Sequence, residues 1–278
     1  MHVGRLPNNM IYAVYRCLYG EDFVQESIKS IRSFVDKIFV FWDDRPWGNI
    51  QSAFYKGEEI KFPKKFDNIV DKINQLNDLK VTLIYDHVEN NIGQFTHLVN
   101  DYILKNWPNP DLLMMIEVDH LFKASEIIKA LELMLSGQIS HATTKPLELW
   151  KTHEYRIPDR RRLATIFWNM KDLECLPQTG RQADARPQVL PIFTHNLGFC
   201  FNPQTMYWKH LTAIGFSQKI GDVPPNEGWY DKWLAWSING ENKDLEISKG
   251  HEHTIPYAYE YDINELPEII KEKYNGTT

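Results

Sequence analysis

The sequence predicts an α/β domain in which helices cover both faces of a mixed, mainly parallel sheet. Two observations predict it. Through the first half, short β-branched and aromatic runs alternate with stretches of helical apolar periodicity. That βαβ rhythm builds parallel sheets buried on both faces. From about residue 139 the rhythm gives way to short apolar runs between Arg- and Pro-containing loops, as in a mixed or antiparallel region added to the first sheet.

The elements follow in order. "MIYAVYRCLY" (10–19) and "KIFVFW" (37–42) read as buried strands, rich in residues that suit a pleated surface. Between them Val24, Ile28, Ile31 and Val35 recur at helical spacing, and "GED" places acid at the start of a helix over 21–34. "KVTLIYD" (80–86) is the third strand, followed by a helix whose apolar face is Ile92, Phe95, Val99, Tyr102 and Ile103. "LLMMIEVDHLF" (112–122) holds the fourth strand, and a helix over 124–135 follows with Ile127, Ile128, Leu131 and Leu135 facing inward. Beyond these, "ATIFWNM" (164–170) and "PIFTHNLGFCFNP" (191–203) are short apolar runs, "NEGWYDKWLAWSI" (226–238) is a helix, and 249–262 is extended. The final "KYNGTT" is expected to fray.

Composition narrows the function classes. With 43% hydrophobic and 24% charged residues, the chain can bury a sizeable core. Aromatic residues reach 13%, nine of them Trp among the whole, so some are expected to line grooves. A net charge of −6 disfavours nucleic acid as a partner, yet leaves room for one small phosphorylated ligand. Cys17, Cys175 and Cys200 show neither zinc spacing nor a disulfide framework, which points to a reducing compartment. No apolar run approaches the roughly 18 residues of a membrane span, and "MHVGRLPNNM" lacks the apolar region of a signal peptide. The expectation is a soluble, cytoplasmic protein with no transmembrane segment, whose one route to a membrane is a peripheral seat on its surface.

Three polar stretches fall at predicted strand ends: "DDRPW" (43–47), "DHVENNIGQ" (86–94) and "EVDH" (117–120). Ligands of parallel sheets collect at the carboxyl ends of the strands, so these should converge on one crevice. Glu117 and Asp119, two apart, share a strand face while Val118 returns to the core. Paired carboxylates repel unless a cation sits between them or one keeps its proton, and hard oxygen ligands suit Mg²⁺ or Mn²⁺. The alternative is that Asp119 caps the helix starting near 123. His120 points to the opposite face and leaves that set. His251 and His253, about 7 Å apart on one side of an extended segment, can add a nitrogen ligand, or are ordinary partly buried histidines. Asp231, with Glu227 a turn before it, sits among Trp229, Trp233 and Trp236. An apolar setting would raise its pKa and suit a general base, the alternative being a surface acid. Asp43 and Asp44 either accept hydrogen bonds from a base or ribose, or open the turn before Pro46. The run "RIPDRRR" (156–162), with Arg181 and Arg186, is a solvated loop from which one or two guanidiniums, such as Arg162, can clamp a diphosphate. His195 and Asn196, inside an apolar strand, need polar partners, which an acceptor's hydroxyls would supply.

Together these positions resemble a GT-A type nucleotide-sugar glycosyltransferase, closest to the family 2 group, over residues 10–260. "MIYAVYRCLYGEDFVQESIKSI" looks like that family's opening strand and helix, "DD" (43–44) like its base-binding aspartate, and "MMIEVDH" like its Asp-x-Asp metal motif. "GWYDKWLAW" is similar to the segment bearing its catalytic base, and "HEH" (251–253) to a histidine that completes the metal site. Glu117 stands where the family has Asp, Tyr230 replaces a Glu, and "NNIGQFTHL" keeps Gly93 but lacks the usual basic residue.

The resemblance implies a single GT-A (Rossmann-like) domain over 1–278, with a nucleotide-binding half at 10–136 and an acceptor-side half with a C-terminal extension at 137–278. Tyr15, Asp43, Asp44 and Gly93 would bind the nucleotide, and Asp119, Glu117, His251 and His253 would hold Mn²⁺ or Mg²⁺. Asp231 would be the base of an inverting transfer, with Arg162, His195, Asn196, Glu227 and Trp229 at the diphosphate or acceptor and aromatic rings at 229–236 and 257–261 stacked on sugar. The donor would be a UDP-, GDP- or dTDP-linked sugar and the acceptor a glycan or glycolipid. Two other readings stand beside it. A sugar-phosphate nucleotidyltransferase is opposed by the lack of an early Gly-rich loop with Arg and Lys, and a non-catalytic carbohydrate-binding protein would share the fold. A zinc hydrolase lacks a compact ligand set.

Overall fold

The computed structural model describes residues 9–65, 68–86, 92–158, 164–171, 173–177, 187–240 and 257–275. The chain opens with β1 (Ile11–Cys17), α1 (Val24–Ile31) and β2 (Lys37–Trp42). A hairpin of β3 (Ser52–Tyr55) and β4 (Glu58–Lys61), α2 (Ile69–Gln75) and β5 (Val81–Tyr85) come next. Then follow α3 (Ile92–Leu98), β6 (Leu112–Glu117), β7 (His120–Leu121) and α4 (Ala124–Leu135). The second half holds β8 (His141–Trp150), β9 (Thr152–Arg156), β10 (Ile166–Asn169), β11 (Gln188–Phe199) and α5 (Pro203–Ile220). It closes with α6 (Trp229–Ala235), β12 (Tyr259–Glu260) and α7 (Glu268–Asn275).

β5, β2, β1 and β6 lie side by side in that order, all parallel. Successive strands move outward from β1 to β5, and then β6 crosses back to the other side of β1. The strand order therefore reverses between β1 and β6, which makes their carboxyl ends the topological switch point. β10 joins β6 antiparallel, β8 and β9 extend the sheet, and β11 runs parallel to β8 before pairing with β7. The expected architecture is the one observed: a mixed, mainly parallel sheet with helices on both faces.

The two-faced burial is written into β1. Ile11, Ala13, Tyr15 and Cys17 enter one core with Ile28 and Ile31 of α1 and Ile127 and Leu131 of α4. Tyr12 and Val14 enter the other core with Phe95, Val99 and Ile103. A strand with both faces covered needs a continuous apolar run, which is what the sequence supplies.

Several expectations need correction. The helix after β5 changes at Val99–Leu104 to a π-helix, whose wider turn leaves Tyr102 43% exposed, off the apolar face. α5 and the β3–β4 hairpin were not foreseen. α5 buries polar and small residues, among them Thr205, His210, Thr212 and Gly215, so its apolar stripe is weak. The hairpin packs Ala53 and Tyr55 on Leu211 and Ile214 of α5. Of the stretch expected to fray, Lys273, Tyr274 and Asn275 continue α7, and 276–278 lie outside the described residues; Lys273 pairs with Glu26 at 3.2 Å and Tyr274 stacks on His153 at 3.8 Å. Of the extended segment 249–262, residues 249–256 lie outside the described residues, and Tyr259–Glu260 forms β12 against β9. Among the described residues no helix is long and apolar enough to cross a membrane.

Tyr15 was expected at the nucleotide, but it is 0% exposed and belongs to the core. Its hydroxyl lies 3.1 Å from Ser27 Oγ, which donates to the His120 carbonyl at 2.6 Å. Burial pushes the Tyr15 hydroxyl pKa up, so it stays a neutral donor. Ser27→Ala strips a partner from both neighbours without opening a large cavity. It should destabilise the fold by about 1–3 kcal/mol in urea unfolding, with the slope of the transition unchanged.

Candidate active site

The switch point carries an alternating set of charges. β6 ends at Glu117, and Val118 turns inward, buried in the core. Arg16 and Glu117 are register partners on β1 and β6, and an Arg16 terminal guanidinium nitrogen lies 2.5 Å from Glu117 Oε1. Cross-strand pairs of opposite sign stabilise a sheet locally. The Asp119 carbonyl accepts from the Leu197 N–H at 2.8 Å, tying this turn to β11. Asp119 Oδ2 lies 3.6 Å from Lys209 Nζ, and the lysine side chain keeps 26% exposure. Desolvation lowers the Lys209 pKa, opposed by the charges of Asp119 and Glu117. Asp119 lies in the turn beyond the end of β6, so the two carboxylates do not share a strand face as expected: Glu117 pairs with Arg16 and Asp119 faces Lys209.

Lys209 is held firmly. Its ammonium donates to the Gly198 carbonyl at 3.1 Å and lies 4.2 Å from the centre of the Phe201 ring. Its helix, α5, is capped by Asn202, whose Oδ1 accepts from the Thr205 N–H at 2.9 Å. Asp22, in the β1–α1 loop, accepts from the Asn202 N–H at 2.9 Å, and the Tyr19 hydroxyl donates to the Trp208 carbonyl at 3.3 Å. The segment that follows β1 thus clasps the helix that carries the lysine. A Cβ on Gly198 would stand 2.9 Å from Asp119 Oδ2 and 2.8 Å from Asn196 Oδ1, so only glycine lets those oxygens close in. Asn196 shares this corner with Asp119, and its Oδ1 accepts from the Gly198 N–H at 2.8 Å.

Other expected residues have partners of their own. His195 faces the opposite side of β11, where Nε2 lies 3.0 Å from the Glu265 carbonyl and 3.2 Å from the Tyr261 hydroxyl. It anchors the C-terminal segment, not an acceptor. Trp229 is 4% exposed among Trp150, Phe199 and His210, so it has no face to offer a sugar. Asp231 is 55% exposed and ion-paired to Lys56 of the hairpin, so its setting is ionic and wet where an apolar one was expected. Glu227 Oε2 accepts from the Lys56 N–H at 3.3 Å, which brings both acids to one hairpin residue.

At the ends of β2 and β5, Asp43 is buried and accepts from both N and Nε of Arg45 at 3.0 Å, which is the turn-opening role. Asp44 accepts from the Tyr85 hydroxyl at 2.9 Å. Gly93 lies in the first turn of α3. His251, His253, Arg162, Arg181 and Arg186 lie outside the described residues. Sequence reading missed Arg16 and Lys209. Arg16 had a signal, a charge one residue from the end of a buried strand, whereas Lys209 sits on a helix the pattern did not reveal.

The divalent ion that the resemblance implies does not fit the described residues. Glu117 is committed to Arg16, Asp119 faces an ammonium, and no group of three His, Cys, Asp or Glu gathers among the described residues. A divalent ion about 4 Å from that ammonium would be opposed by about 8 kcal/mol at an effective dielectric of 20.

Burial pushes the His195 pKa down to about 4, with smaller contributions from neighbouring charges. The unfolded imidazole titrates near 6.5, so the neutral form is the one the fold favours. Stability is fully present above about pH 6.5 and is lost as pH falls toward 4, by up to about 1.4 kcal/mol per pH unit for this group. Urea unfolding at stepped pH should show that slope, and His195→Gln should flatten it by one proton's share. Gly198→Ala should lower the unfolding midpoint, and adding Asn196→Ala should recover part of the loss, since the two sites are coupled.

No protein-family profile matches the chain, and no curated protein matches it. Solved structures with a similar chain trace include S. aureus TarS 1–349, at a TM-score of 0.41 and 11% identity over 81% of this chain and 69% of that one. Glucosyl-3-phosphoglycerate synthase from Mycobacterium tuberculosis, in complex with Mn²⁺, UDP and phosphoglyceric acid, matches at 0.34 and 13% identity over 51% of this chain and 44% of its own. GalNAc-T7 with UDP, GalNAc and Mn²⁺ matches at 0.35 and 8% identity, over 51% of this chain and 24% of its own. The chain thus spans less than half the length of the synthase.

Proposed function

We propose that the chain is a GT-A type glycosyltransferase that moves a sugar from a nucleoside diphosphate sugar, UDP-, GDP- or dTDP-linked, to a hydroxyl of a glycan or glycolipid. The observation that carries the reading is the charge cluster of Arg16, Glu117, Asp119 and Lys209 at the β1–β6 switch point. Ligands of open α/β sheets bind in that crevice, and ammonium and guanidinium groups there suit a diphosphate. The ends of β2 and β5, with Asp44 and Tyr85, supply a shelf for base and ribose on one side. Asn196 and Asp119 supply polar atoms for the sugar on the other. Tyr257 and Tyr259 are exposed, and their rings can stack on an acceptor where Trp229 cannot.

In this reading the acceptor oxygen attacks the anomeric carbon on the face opposite the diphosphate as that bond breaks, which inverts the carbon. The bonding electron pair leaves on the phosphoryl oxygen, and the acceptor proton passes to Asp231. Asp231 must first part from Lys56, a surface contact that is inexpensive to break.

A thermal-shift screen of UDP-, GDP- and dTDP-sugars tests the reading. One of them at about 100 times its dissociation constant should stabilise the fold by about 2.7 kcal/mol. Asp231→Asn should lower kcat about 10²–10⁴-fold with donor affinity unchanged. Silence toward every donor sinks the proposal, and transfer surviving in Asp231→Asn moves the base elsewhere.

A further inference from the structure

We infer that Lys209 is the cation that takes up the charge of the departing diphosphate, standing where the resemblance places a divalent metal. This rests on the glycosyltransferase reading and deepens it, by assigning the leaving group's charge to one residue in place of a metal.

Geometry carries the inference. The Lys209 ammonium stands 3.6 Å from Asp119 Oδ2, against the carboxylate that the metal would need. Glu117 is already bound by Arg16 at 2.5 Å. The lysine is not a wandering surface chain. It donates to the Gly198 carbonyl at 3.1 Å and lies 4.2 Å from the centre of the Phe201 ring. Asn202, Asp22 and Tyr19 fix the helix beneath it to the loop after β1, the same loop that borders the crevice. The missing Cβ at Gly198 leaves room for the Asp119 and Asn196 oxygens beside that glycine.

An ammonium carries three N–H donors. One goes to the Gly198 carbonyl and one faces Asp119, which leaves a third, and the side chain keeps 26% exposure. A phosphoryl oxygen arriving at the switch point meets that third donor. During transfer the carbon–oxygen bond breaks toward the diphosphate, and Lys209 keeps its proton while its hydrogen bond to the phosphoryl oxygen strengthens. Asp119 then acts as the positioning group that aims the ammonium. The step needs no co-reactant beyond donor and acceptor.

Calorimetric titration of UDP, GDP and dTDP into the full chain, with excess EDTA and then with Mn²⁺, tests this without relying on turnover. One of these diphosphates is expected to bind the native chain with EDTA present, and Mn²⁺ should change its affinity by less than about threefold. Lys209→Met should weaken that binding by about tenfold or more, the scale of a lost charge-assisted hydrogen bond, while Lys209→Arg retains most of it. Binding by the native chain that requires Mn²⁺ overturns the lysine and leaves the glycosyltransferase reading intact. Undiminished EDTA-resistant binding by a folded Lys209→Met does the same. No binding under either condition overturns the glycosyltransferase reading itself. The native-chain arm decides even where the methionine variant fails to fold.

Discussion

The contact between Asp119 and Lys209 is the constraint on which the site depends. It joins the turn after β6 to the middle of α5, two elements about ninety residues apart in the chain. Everything around it serves that approach. Gly198 clears the space, the Leu197 N–H pins the Asp119 backbone, and Asn202 and Asp22 fix the start of α5. Were the sheet not reversed between β1 and β6, there would be no crevice for these charges to line.

A second set of contacts closes the molecule from the C-terminal side. His195 and Tyr261 meet the Glu265 carbonyl region, and the Lys123 ammonium lies 2.5 Å from Glu265 Oε2. α7 then returns to α1, where Lys273 pairs with Glu26. Residues that would be costly to bury alone are thereby satisfied by a late segment of chain. The Trp-rich stretch of α6 belongs to this packing: Trp229 and Trp233 are buried, and Trp233 Nε1 donates to the Phe199 carbonyl at 3.0 Å. The high aromatic content is thus spent partly on the core beside β11 and not mainly on an open groove.

Much of the first half was legible. β2 and α4 have the expected bounds, and β1, β5 and β6 fall inside theirs, because strands buried on both faces and an amphipathic helix leave clear apolar patterns. The second half was harder. α5 packs against the hairpin and the sheet through Thr, His and Gly as well as through Leu and Ile, so no single stripe betrays it. The same blindness hid Lys209. Asp119 was readable as an acid at the end of a buried run, but its partner was a lysine that only tertiary structure brings near. Asp43 and His195 show the opposite failure. Each looked functional by residue type, and each is occupied by a local turn or a distant backbone carbonyl.

The central claim is that a diphosphate lies at the β1–β6 switch point against Lys209. A crystal structure of the chain with a bound nucleoside diphosphate measures this most directly. The account predicts a phosphoryl oxygen within hydrogen-bond distance of Lys209 Nζ, with the base toward the ends of β2 and β5. A diphosphate seated away from β1 and β6 would contradict it.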